Sequence, residues 1–113
     1  MKQPFEKLAE LDRLIHEPAR LAILTALSQA DSVDFLFLQR LTGLTRGNLS
    51  SHLSKLEEGG LIAIEKKFVG KTPKTTLRLT RKGRQAVAAH WEMLEELRRE
   101  VNNWQKDAKT SQA

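Results

Sequence analysis

Between Asp34 and Trp104 the hydrophobic period of the chain changes twice, and this restricts the fold more than any other feature. DFLFLQRLTG (34–43) reads as a short helix, capped by Ser32 or Asp34 and ended by Gly43. TRGNLSSHLSKLEEGG (45–60) reads as a second, with Leu49, Leu53 and Leu56 on one face, Thr45 at its start and Gly59-Gly60 at its end. The period then drops to two. In LIAIEKKF (61–68), Ile62, Ile64 and Phe68 share a face, with Lys66 among them. TLRLT (76–80) alternates Leu77 and Leu79 with Thr76, Arg78 and Thr80. VGKTPKT (69–75), with Gly70 and Pro73, reads as the turn between them, so 61–80 is expected to be a β-hairpin. Helical spacing returns after Thr80 and runs to between Trp104 and Asp107.

Two helices precede this core. Residues 4–15 space Phe5, Leu8, Leu11 and Ile15 helically behind Pro4. Pro18 opens another, to about Ala30, apolar on more than one side and therefore central. The last helix carries Val87, His90, Leu94, Leu97, Val101 and Trp104, a heptad seam longer than so small a domain needs for its own core. Two apolar stripes at opposite ends of the chain predict a two-fold dimer built from the terminal helices. The chain reads as one domain over 1–107 with a flexible tail over 108–113.

Composition excludes several classes. The 113 residues contain no cysteine, which removes disulfides and thiolate chemistry. No apolar run approaches a bilayer span, and MKQPFEKLAELD lacks a signal-peptide core, so a cytoplasmic, nucleoid-associated protein without a membrane partner is expected. Residues 45–84 hold ten basic and three acidic side chains, against nine and eleven elsewhere. This asymmetry points to an anionic partner, although membrane surfaces and acidic proteins attract such a patch as well as nucleic acid does.

Helix 45–58 sharpens the choice. Opposite its leucines lie Gly47, Ser51, Ser54 and Glu58, flanked by Ser50 and Lys55. Helices that need only a soluble face usually carry longer side chains, because serine and asparagine compete for backbone groups. A helix entering the major groove needs short donors and acceptors, since base edges lie close to its axis. Thr45, Arg46, Gly47, Asn48, Ser50, Ser51, Ser54 and Lys55 are therefore candidate DNA contacts, with Lys71 and Lys74 around the hairpin tip and Arg78 on its polar face. His52 flanks the apolar stripe, where it packs or touches phosphate.

The run LTRGNLSSHLSKLEEGGLIAIEKKFVGKTPKTTLRLTRKGRQAV (44–87) resembles the dimeric winged-helix transcriptional regulators of the MarR and ArsR kind. It is most similar to a small subgroup built on a single winged helix DNA-binding domain. HEPARLAILTAL (16–27) extends the likeness towards the N-terminus. The resemblance implies a mainly α, α+β fold: a winged helix-turn-helix with a two-stranded wing and a long C-terminal dimerisation helix. It implies a homodimer on double-stranded DNA at a palindromic operator. Residues 45–58 would lie in the major groove, with wing 69–75 on the adjacent minor groove or backbone. A small-molecule effector is compatible with it, in a pocket between the dimer helices and the DNA-binding lobe, but no residue marks one.

No enzyme is expected. The chain has no phosphate-cradling glycine loop, no nucleophile–base arrangement and no clustered carboxylates. His16, His52 and His90 fall on different elements, and no metal or cofactor is expected. The rival reading is a winged helix used for protein interaction without DNA readout.

Overall fold

Pro18 sets where the first described helix begins, because a proline bars helical geometry from the residue before it. Glu17 is accordingly extended (φ −104°, ψ 128°) and caps α1, Pro18–Leu27. Its carboxylate accepts the Arg20 backbone N–H at 3.0 Å. The computed structural model describes residues 13–112, with side chains through 107. Phe5, Leu8 and Leu11 lie outside the described residues. Residues 13–15 form a turn, not the end of a helix, yet Ile15 is buried in the core. At the other end α1 stops at Leu27, short of Ala30. There the Ser28 hydroxyl donates to the Thr25 carbonyl at 2.6 Å, a local bond that competes with helix continuation.

Asp34 has two roles. It caps α2, Phe35–Thr42, by accepting the Leu36 N–H at 2.9 Å. With Val33 it also forms β1, a two-residue strand too short to leave a periodic signal in the sequence. α3 spans Arg46–Glu58 and is capped by the Thr45 hydroxyl, which accepts the Asn48 N–H at 3.1 Å. The helix closes in a Schellman motif. Leu61 N–H reaches the Leu56 carbonyl at 3.0 Å and Gly60 N–H reaches Glu57 at 2.9 Å, while Gly60 takes φ 77°.

Strands β2 (Ile62–Val69) and β3 (Thr72–Leu79) follow, in an antiparallel sheet ordered β1-β3-β2. The sheet thus has three strands where two were expected. The turn is only Gly70-Lys71, with Gly70 at φ 66°, the residue and sign that a type II′ hairpin requires at this position. The expected turn over 69–75 was too long because Pro73 reads as a strand breaker. It is tolerated because β1 reaches only Thr76 and Leu77, leaving β3 uncovered at Pro73.

Thr80 joins the sheet to α4, Arg81–Gln112. Its hydroxyl donates to the Gly60 carbonyl at 2.6 Å and accepts the Gly83 N–H at 3.0 Å. Its own N–H reaches the Leu61 carbonyl at 3.0 Å. A Cβ on Gly83 would run into that same carbonyl, which explains a glycine in the first turn of a long helix. The helix continues through 108–112, the residues read as a tail from sequence, where no Gly or Pro ends it. At about 1.5 Å per residue its length is roughly 48 Å. The core joins Ile23, Leu24 and Leu27 of α1, Leu38 of α2, the three leucines of α3, and Leu77 and Leu79 of β3. Val87 anchors α4 to it.

Among the described residues no helix is long and apolar enough to cross a membrane. Gly83→Ala, although favourable by helix propensity, is expected to destabilise the protein by roughly 2 kcal/mol through overpacking against Leu61. Thermal denaturation followed by circular dichroism checks this: the midpoint should fall by several degrees, and an unchanged or higher midpoint would refute the contact.

Candidate nucleic-acid interface

The packing that buries Leu49, Leu53 and Leu56 turns the opposite face of α3 outward. Arg46, Gly47, Asn48, Ser50, Ser51, Ser54 and Lys55 are all exposed. An added Cβ at Gly47 would meet no atom within 4 Å, so nothing within the protomer requires a glycine there. Glycine weakens a helix, and here no clash within the protomer calls for it. Thr45 is exposed too, but its hydroxyl oxygen is engaged as the helix cap and only its hydrogen is left to donate.

The exposed face has two flanks. On one, Arg46, Ser50 and Ser54 line an open cleft of about 740 Å³ whose far wall is the wing, with Lys66, Lys74 and Thr75. Phe35 forms part of the cleft, and the Arg46 guanidinium lies 5.7 Å from its ring centroid, within cation–π range. The contact holds a long side chain at the mouth of the cleft without neutralising it. The other flank, with Asn48, His52 and Lys55, faces the start of α1. There the Arg20 Nε–H donates to His52 Nδ1 at 3.1 Å.

The hairpin register decides which wing lysines matter. Lys67 stands directly opposite Lys74, a like-charge pair that disfavours the sheet. Neither lysine has an acidic partner among the described residues, so the wing carries uncompensated charge. Lys71 sits in the turn. Arg78 is exposed on the outer sheet face, opposite Ala63. Lys66 and Lys67 were not among the expected contacts. The signal for them was present in the basic count, but placing the turn over 69–75 left them off the wing.

Glu17, beside this interface, titrates below the usual carboxylate range. Burial opposes the shift, but the backbone N–H groups of Arg20 and Ala19 and the nearby Arg20 guanidinium outweigh it. His16 and His90, expected on separate elements, are in contact, with ring centroids 5.4 Å apart. Their planes are tilted by 43°.

Of the seam residues, the structure buries Ile15, Val87 and His90 inside the protomer. Leu94 and Leu97 are half-buried, and Val101 and Trp104 are exposed, Trp104 by 70%.

A short helix, a tight turn, an exposed polar helix and a basic hairpin define the winged helix-turn-helix class. Residues 19–98 match the family described as winged helix DNA-binding domain. Over 74 residues the chain is 35% identical to an uncharacterized protein of Methanocaldococcus jannaschii, covering 66% of this chain and 80% of that one. The structure of a transcriptional regulator homologue from Pyrococcus horikoshii matches with a TM-score of 0.78 at 28% identity, over 85% of this chain and 97% of that one. A MarR-family regulator from Silicibacter pomeroyi shares the fold, with a TM-score of 0.63 at 19% identity, over 96% of this chain and 78% of that one. The chain belongs to the winged helix DNA-binding domain family, and that family and the Pyrococcus horikoshii homologue support a DNA-binding regulator of transcription.

Gly47→Ala separates folding from contact. It should raise protomer stability by up to about 1 kcal/mol, since alanine is the better helix former, and weaken duplex binding. Melting curves and fluorescence anisotropy with a labelled duplex check the two halves; a lowered melting temperature would mean that the fold itself needs this glycine.

Proposed function

We propose that the protein is a homodimeric, sequence-specific regulator of transcription that seats α3 in the major groove of a palindromic operator. The wing lies along the adjacent minor groove or backbone. The observation that carries this reading is the cleft between α3 and the wing. One wall offers Arg46, Ser50 and Ser54, the other Lys66 and Lys74; Asp34 also lines the cleft, but among the described residues no acidic side chain pairs with these cations. A duplex supplies both partners that the surface lacks: base edges for the short side chains and phosphates for the lysines. Thr45, Asn48, Lys55, Lys71 and Arg78 extend the same surface.

Dimerisation is supported by the outer half of α4. Beyond the core, Leu94, Leu97, Val101 and Trp104 continue one apolar seam into solvent. A second copy of the helix would bury it. The N-terminal stripe Phe5, Leu8 and Leu11 belongs to the same proposal. A two-fold arrangement would set two α3 helices roughly 34–36 Å apart, one turn of DNA. Effector control rests on the resemblance alone: the cleft described above lies between α3 and the wing, not between α4 and the DNA-binding lobe. A nucleoid-associated, cytoplasmic location follows from the proposed DNA partner.

Duplexes selected from a random pool, measured at two salt concentrations, test the central claim. Affinity should fall steeply as salt rises, because each neutralised phosphate releases counterions. Failure to bind any duplex at low salt overturns it. Ser51→Glu should reduce binding by roughly 100-fold or more, through a like charge desolvated against phosphate, at an unchanged melting temperature. Unchanged affinity would mean that α3 is not the reader. Leu97→Ala with Trp104→Ala should shift sedimentation towards monomer; an intact dimer would place the interface elsewhere.

A further inference from the structure

His52 is half-buried on the flank of α3 away from the wing, between Asn48 and Lys55 at helical spacing. Two groups from the start of α1 approach its Nδ1. The Arg20 Nε–H lies 3.1 Å away and the Glu17 carboxylate 3.7 Å away. The longer distance is outside hydrogen-bond range. The Glu17 oxygen is also already occupied by the Arg20 backbone N–H at 3.0 Å. Arg20 is in turn held by a second bond, from its guanidinium to the Leu14 carbonyl at 3.4 Å.

The arginine decides the state of the imidazole. A guanidinium does not lose its proton in a protein, so Arg20 Nε is a donor and Nδ1 must present its lone pair. A neutral ring with a lone pair on Nδ1 carries its hydrogen on Nε2. No group among the described residues accepts that hydrogen, and Nε2 is not a buried atom lacking a partner. The Nε2–H is therefore an oriented donor open to solvent, on a helix face whose other members are polar.

We infer that His52 donates this Nε2–H to a DNA phosphate, and that Arg20 is the positioning residue that fixes its tautomer and direction. The inference rests on the proposed DNA-binding reading and extends it. A helix in the major groove has a phosphate wall on each side. The wing and the Arg46 flank meet one; Asn48, His52 and Lys55 meet the other. A neutral, directional donor adds to register on the duplex, whereas Lys55 adds to the salt-dependent attraction. The α1 N-terminus thereby helps to set the position of α3 on DNA.

The test uses a duplex selected by the wild-type protein and the full chain. Long-range proton–nitrogen correlation spectra of the free wild type at neutral pH should show His52 with a bare Nδ1 and a protonated Nε2. Arg20→Met should mix the two tautomers. His52→Leu should weaken binding about 10-fold or more, the scale of a lost hydrogen bond to a charged group, with the salt slope unchanged. His52→Gln, whose amide nitrogen occupies the place of Nε2, should stay within about threefold of wild type. Melting curves confirm that each variant is folded. A protonated Nδ1 in the wild type, or a folded His52→Leu protein that binds like wild type, overturns the inference while the DNA-binding reading stands. A wild type that selects no duplex overturns that reading, and this inference with it.

Discussion

The junction at Gly60, Leu61 and Thr80 holds the working parts of this molecule in register. Three elements end or begin there: α3 closes in its Schellman turn, β2 departs, and α4 starts. Thr80 satisfies both sides, donating to Gly60 and Leu61 and capping Gly83. Because these groups are short and mutually hydrogen-bonded, the angle between α3 and the hairpin has little freedom. The cleft between helix and wing is a consequence of that angle. A side chain at Gly83 would press on the junction itself, so the glycine that looks unfavourable in a helix is required by packing.

The same economy appears on α3. Its three leucines bind it to the core, which leaves the remaining surface without structural duty. Arg46 is held by an aromatic ring and His52 by an arginine, so each keeps its polar end available. Lys67 and Lys74 face each other across the wing. Of these arrangements the like-charge lysine pair disfavours the isolated sheet. Together they make up the surface proposed to meet a duplex.

Much of this was legible in sequence where a short-range rule applied. Pro18, Asp34, Thr45 and Gly60 mark helix ends through local chemistry, and the leucine spacing of α3 marks its buried face. The reading failed where tertiary contact outweighed local preference. Pro73 looked like a turn residue and lies in a strand, because the neighbouring strand stops short of it. Val33 and Asp34 gave no strand signal, because two residues have no period. Helix 4–15 was expected to run to Ile15, but Arg13 to Ile15 form a turn.

The sequence by itself determined the order of the four described helices and the two wing strands, the polar character of α3 and the basic character of the segment that follows it. These depend on residue type and spacing, which a linear chain displays in full. Only the tertiary structure decided which lysines share the cleft with Arg46, that Gly47 has open space around it, and that Arg20 meets His52 across 32 residues. Those facts depend on hairpin register and on the angle at which helices cross. Both are set by core packing among residues far apart in the chain, and no local pattern encodes them.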